Sequence, residues 1–358
     1  MKNDRKKGFT ALCRLARGFK PKPYVTTADS VPGNSLVFDG VRAWASDGTV
    51  WLSLRSAQKL AAPVAVDEPM LRTLLKTGDD ITIDRAQGRV NDVAVDLRPI
   101  EDHIPLPEPG QPMAAFEVNL QRLANVLRAA GVHDIRYYLN GLLFDFPGRA
   151  LVATDGHRLH RYNAETLPLV PTTQDAEAAR TLPILPRKAA ELIADLKLRN
   201  VAWDGAIFAA SNDELELRVP AIDGTFPDYS KVLRAPRKDD VVFTLDPARL
   251  ASGLKQAIAL GKARKARYTG VILDGAKADL AVHVNGAPAM VLPDIVKITS
   301  RRGVLRPIGF APAYLLDVAE LVTPAATWRF SNAEKQKSRE SLIVEEGDFA
   351  AVVMPMNL

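Results

Sequence analysis

Gly141-Leu-Leu-Phe-Asp-Phe, leading on to Ala153-Thr-Asp-Gly, is one of three stretches of this 358-residue chain that share a shape. Ser35-Leu-Val-Phe-Asp-Gly leads to Ala45-Ser-Asp-Gly, and Gly270-Val-Ile-Leu-Asp-Gly leads to Leu280-Ala-Val. Each predicts a strand, a glycine-containing turn and a second strand. An amphipathic helix is expected upstream of each. Phe9, Leu12, Cys13 and Ala16 fall at helical spacing, as do Leu120, Leu123, Ala124 and Leu127, and Leu250, Leu254, Ala257 and Ile258. Asn119 and Asp246 are natural N-caps for the second and third of these helices. A second helix is expected downstream, from the stripes Leu71, Leu74, Leu75; Ala189, Leu192, Ile193, Leu196; and Leu315, Val318, Ala319, Val322. Short alternating strands follow: Asp80 to Asp84, Val201 to Trp203 and Trp328 to Phe330. The order helix, strands, helix, strands thus recurs at a normal domain size. Proline-rich joints at Pro105 to Pro112 and Arg234 to Asp240 separate the copies. The expected architecture is α+β, with three similar tandem domains at 1–112, 113–237 and 238–358.

Composition narrows the function. No run approaches the ~20 apolar residues that cross a bilayer, and the basic Met1 to Lys7 precedes no secretory apolar core. No membrane association is expected. Cys13 is the only cysteine, which excludes an internal disulfide and a multi-cysteine zinc site and fits a reducing cytoplasm. The net charge of +5 makes nucleic acid a reasonable partner. Its distribution says more. Arg14, Arg17 and Lys20 lie on the polar face of the first upstream helix, Arg122 and Arg128 on the second, and Arg249, Lys255 and Lys262 on the third. A charged face is ordinarily just solvated, but here one sign recurs on the equivalent helix of every copy, as a surface facing phosphates requires. No groove-reading motif accompanies it, so binding without sequence preference is expected.

An enzyme is the rival class. Asp155, His157 and His160 cluster in sequence and invite a metal or acid–base reading. An offset of three puts the two histidines on opposite faces of a strand. No nucleophile or glycine-rich phosphate loop accompanies them, and His103, His133 and His283 are isolated. No catalytic residue, metal or cofactor is assigned.

Three longer motifs are more specific. Asp134-Ile-Arg-Tyr-Tyr-Leu-Asn-Gly-Leu-Leu-Phe144 continues to Ala153-Thr-Asp-Gly-His-Arg-Leu159; Ile222-Asp-Gly-Thr-Phe-Pro-Asp-Tyr-Ser-Lys-Val-Leu233 follows; and Val352-Val-Met-Pro-Met-Asn-Leu358 ends the chain. In this order they closely resemble the bacterial DNA polymerase III beta sliding clamp family, strongly from about residue 115 onward and by architecture alone before it. The resemblance implies a non-catalytic processivity factor: a head-to-tail homodimer closing into a ring, helices inside and antiparallel sheets outside, around double-stranded DNA. DNA polymerase, clamp loader and other replication or repair proteins would share one peptide groove. Carried over, that groove comprises Arg136, Leu139, Thr154, Gly156, His157, Arg158, Leu159, Pro227, Val232, Val352, Val353, Met354, Pro355, Met356 and Leu358. Methionines and aliphatic side chains make an adaptable wall for leucine and phenylalanine anchors, each worth roughly 1.5–3 kcal/mol when buried. His133, Tyr137 and Tyr138 sit on a loop that the resemblance brings near DNA; Tyr138 reads equally well as a core residue. Val93 and Val95 facing Leu260 are the expected dimer contacts.

Several features depart from the family pattern. Met1 to Lys7 replaces the usual first strand, and the first domain is short. Asn357 stands where a basic residue is common, and Ala311 replaces a polar groove-edge residue. Gly261-Lys-Ala-Arg-Lys-Ala-Arg267 is unusually basic and slightly long for a stretch that the resemblance places near the ring interface. These departures suggest a divergent or accessory clamp. They leave open a monomeric DNA-binding paralogue that has lost ring closure. Which polymerase or loader it serves, and whether in replication or repair, is not written in the sequence.

Overall fold

The computed structural model describes residues 2–18, 35–55, 60, 62–78, 80–85, 87–95, 97, 106–168, 182–238, 240–274, 277–302, 307–330 and 341–357. Lys20, His103 and Leu358 lie outside the described residues. Six α-helices occur among the described residues: α1 (Lys2–Arg17), α2 (Glu68–Thr77), α3 (Leu120–Leu127), α4 (Arg187–Leu196), α5 (Pro247–Ala263) and α6 (Pro312–Ala319). None is long and apolar enough to cross a membrane. The two expected caps form. The Asn119 side-chain oxygen accepts from Arg122 N at 3.1 Å, and that of Asp246 accepts from Ala248 N and Arg249 N at 3.0 and 3.2 Å, ahead of Pro247 at the first helical position. The basic start of the chain is itself helical, since α1 begins at Lys2.

The chain divides into two compact units, residues 1–123, 166–179 and 185–223 in one, and 124–165, 180–184 and 224–358 in the other. In the first unit an eight-stranded antiparallel sheet runs in the order 64–67, 35–38, 42–46, 51–55, 215–220, 207–211, 200–203, 114–117. The hairpin half of the first repeat is therefore joined to the last strand of the second, with Leu52 opposite Leu217. Helix α1 packs on α2 and on strands 42–46 and 51–55, and Phe9, Leu12 and Ala16 are buried. The joint after Pro105 is pinned to this sheet. Leu106 packs on Val37, Trp44 and Trp51, and the buried Arg218 donates to Pro107 O at 2.8 Å. The downstream strands of the first repeat are only two residues each, 83–84, 89–90 and 93–94, and form a separate small sheet. Turn residues Gly88, Asn91 and Asp92, all with positive φ, use up the intervening chain and keep these strands short.

In the second unit a nine-stranded sheet starts at the edge strand containing Ile184 and continues 141–145, 150–154, 158–163, 349–353, 342–346, 327–330, 241–245, 298–302. Here strand 158–163 of the second repeat pairs with 349–353, the last strand of the third. The rule of the first unit is repeated: the third hairpin strand of one copy takes the last strand of the next. A four-stranded sheet, 287–292, 279–284, 269–274, 308–310, completes the unit. Its core gathers Phe243, Leu250, Leu254, Phe310, Leu315 and Trp328, all fully buried. At its edge the buried Arg329 pairs with Glu345 at 3.0 Å and lies 3.5 Å from the buried Asp240, which also holds Arg234 at 2.8 Å. This network ties the second joint to the third repeat. The chain thus carries three tandem α+β copies, and the middle copy lends strands 200–220 to one unit and 141–163 to the other.

Candidate partner-binding groove and basic helix faces

The Asp-Gly motif that marks the first two repeats is turn chemistry. Thr154 Oγ1 donates to Arg158 O and accepts from Gly156 N, at 2.6 and 3.0 Å. The Asp155 carboxylate accepts from His157 N and Arg158 N, both at 2.9 Å. Ser46, Asp47 and Gly48 reproduce the same bonds toward Thr49 and Val50. Gly156 and Gly48 take φ of +85° and +89°, where a β-carbon is strained. Asp155 is thus occupied by the backbone. His157 is exposed, whereas His160 is fully buried, its Nδ1 3.0 Å from Asn125 O, and burial pushes its pKa down to about 4. Among the described residues no three His, Cys, Asp or Glu side chains are grouped to hold a metal ion.

Around this turn several of the sequence-derived groove residues come together. Leu159 lies opposite Val352 and Arg158 opposite Val353. Met354 N donates to His157 O at 2.8 Å, and Met356 N donates to Gly309 O at 2.9 Å. The tail thereby spans from the turn to strand 308–310. Arg136 forks onto Asp134 at 3.0 and 2.7 Å and reaches Asp155 O at 2.9 Å; those hydrogen bonds hold the Asp134 pKa at about 2. Pro227 and Val232 are exposed on the adjoining loop. That loop is seated where Gly224 meets Tyr138 and Tyr137, a β-carbon there falling 3.0 and 3.3 Å from them, and where Tyr229 donates to Asp145.

The chain end divides into strand and tail at Met354. Val352 and Val353 close strand 349–353 and are 2% and 0% exposed, and Leu139 and Leu159 are similarly buried. Met354, Val232 and Pro227 are exposed, with Pro355 and Met356 half-buried. Two residues were missed. Tyr314 stacks on the His157 ring at 6.1 Å and lies 4.5 Å beneath the Arg158 guanidinium, and Asp317 pairs with Arg158. Both sit on α6 beside its apolar stripe; their offset of three along the helix was the available signal.

The basic helix faces are partly neutralised. Arg17 lies 3.1 Å from the buried Glu68, Arg128 2.9 Å from Glu320 and 3.6 Å from Asp317, and Lys255 2.9 Å from Glu320. Arg14, Arg249 and Lys262 are exposed, and Arg122 is half-buried. Tyr137 is exposed and Tyr138 half-buried in a single 3-10 turn, rings 5.8 Å apart, and His133 is exposed with φ of +54°. Val93 is exposed on the edge strand 93–94 and Val95 is half-buried, while Leu260 packs against the core of the second unit.

No family model matches the sequence. The chain is 28% identical over 306 residues to the beta sliding clamp of Pseudomonas aeruginosa, covering 77% of this chain and 80% of that one. It is 30% identical over 255 residues to the beta sliding clamp of Escherichia coli, covering 68% and 64%. A crystal structure of the DNA polymerase III subunit beta from Pseudomonas aeruginosa superposes with a TM-score of 0.72 at 25% identity over 99% of this chain and 98% of that one. A second structure of a sliding clamp from that organism, with ligand, gives 0.72 at 26%. With the repeated hairpin turn, the tail docked beside it and a likeness running through both units, the chain belongs to the bacterial DNA polymerase III beta sliding clamp family.

Proposed function

We propose that two copies of this chain close head to tail into a ring around duplex DNA, and that the ring tethers DNA polymerase, clamp loader and other replication or repair proteins by short peptides without catalysing any reaction. One observation carries this reading. Strand 51–55 takes 215–220, and strand 158–163 takes 349–353. The same rule leaves the third hairpin strand of the third repeat, 287–292, and the last short strand of the first, 93–94, as edges. Open edges are hazards unless paired, and a heterologous contact between these two closes a cyclic dimer. Exposed Val291 and Val93 lie on them. In this reading strand 287–292, rather than Leu260, faces Val93 and Val95.

The basic helices line the hole and hold DNA without reading sequence. Leu139, Leu159, Val352 and Val353 floor the peptide groove, while Met354, Met356, Pro227 and Val232 meet the ligand. Sedimentation equilibrium tests the assembly: a ring requires twice the 39.0 kDa chain mass, and a monomer at micromolar concentration would favour a paralogue that has lost closure.

A further inference from the structure

Between Asp246 and Asp274 the chain holds no acidic residue, yet it holds Arg249, Lys255, Lys262, Arg264, Lys265 and Arg267. The last four are all exposed where α5 ends. Arg17, Arg128 and Lys255 are matched by carboxylates. Among the described residues no ion pair engages Lys262, Arg264, Lys265 or Arg267.

The backbone beneath these cations is built. Ala266 N donates to Gly261 O at 2.9 Å and Lys265 N to Lys262 O at 3.0 Å, the paired bonds of a Schellman motif. The left-handed position of that motif normally falls to glycine or asparagine, but here it is Lys265, at φ +49°. Downstream, the Asn285 side chain accepts from Arg267 N and Tyr268 N at 2.9 and 3.3 Å, fixing the segment beside the hairpin turn. The negative end of a helix accounts for one or two cations near α5's last turn. It does not account for Arg267 beyond the cap, nor for lysine where glycine is less strained.

We infer that the Lys262–Arg267 turn is a phosphate-gripping platform that carries the main direct contact with duplex DNA. Four unmatched charges on a fixed turn, in line with the acid-free α5, complement a polyanion bearing one charge per ~1.7 Å. The inference rests on the DNA-encircling reading above. Its test is anisotropy of a labelled blunt duplex with the full chain at several KCl concentrations. The triple variant Arg264→Gln, Lys265→Gln, Arg267→Gln should lower the slope of log affinity against log salt by about 2 to 3. A control with equal charge loss at the exposed Arg85, Lys231 and Lys277, each changed to Gln, should keep most of the slope. Separately, Lys265→Gly should raise the melting temperature while weakening DNA binding. An unchanged slope in the triple variant, or an equal fall in the control, overturns the inference and leaves the DNA reading standing. A changed sedimentation mass with an unchanged slope reassigns the turn to a protein interface. Absence of salt-dependent duplex binding by the wild-type protein sinks both readings.

Discussion

In the proposed groove, deleting residues 354–358 removes the wall and leaves the floor. Val352 and Val353 remain buried and paired with Leu159 and Arg158, so the sheet is left whole. Among the described residues, the backbone hydrogen bonds lost on the protein side are those from Met354 N to His157 O and from Met356 N to Gly309 O. At about 0.5–1.5 kcal/mol each they are small beside the stability of a domain. The loss on the ligand side is larger. Met354 is 38% exposed and Met356 half-buried, both open to an apolar anchor. Two leucine or phenylalanine anchors that each gain roughly 1.5–3 kcal/mol on burial lose that wall, which corresponds to at least about a hundredfold in affinity. The assay is a titration of a Gln-Leu-Xaa-Leu-Phe peptide against wild-type and shortened protein, beside a sizing column. The expected result is a folded dimer that no longer binds the peptide. Unchanged affinity in that dimer refutes the assignment of the groove, and loss of the dimer would mean that the tail closes the sheet instead.

Three further outcomes are expected. Asp240→Ala removes the buried carboxylate that Arg234 and Arg329 share, leaving Arg329 its pairing with Glu345, and should cost about 3 kcal/mol in urea unfolding; a cost under ~1 kcal/mol contradicts the network. His160 titrates at about 4 when folded against an ordinary 6.5, so the unfolded chain takes up its proton first. Stability should hold above pH ~6.5 and fall by about 3 kcal/mol as pH drops through 4, and His160→Gln should flatten that slope; parallel curves for the two proteins argue against it. Gly156→Ala puts a β-carbon at φ +85° and 2.6 Å from Arg136 Nη1. It should cost about 1–2 kcal/mol and weaken peptide binding measurably, whereas wild-type affinity would show that the turn is not part of the groove.

What could be read in the sequence was what is local. The helix stripes, the caps at Asn119 and Asp246 and the Thr154-Asp155-Gly156 turn depend on neighbours within a few positions, and the structure places them as expected. Pairings across the chain were not legible. Ser53 Oγ donates to Glu216 O, 163 residues away, and no pattern within either strand names its partner. The same limit hid Tyr314 and Asp317, whose roles depend on Arg158 arriving from another repeat. That Val352 and Val353 are strand and Met354 onward is tail was not legible either, because an apolar chain end reads alike as tail or as strand until its register with Leu159 is known. The charge pattern was legible as composition, but the carboxylates of Glu68 and Glu320 that answer Arg17, Arg128 and Lys255 come from other helices or their ends.

Encirclement is best tested by retention. The clamp is loaded by a purified loader with ATP onto a nicked plasmid, and the plasmid is then either left circular or cut once with a restriction enzyme before gel filtration in raised salt. A topological link survives salt that screens direct phosphate contacts. The account predicts clamp co-eluting with the circle and lost from the linear form. Equal retention on both, or salt-sensitive loss from both, would contradict it.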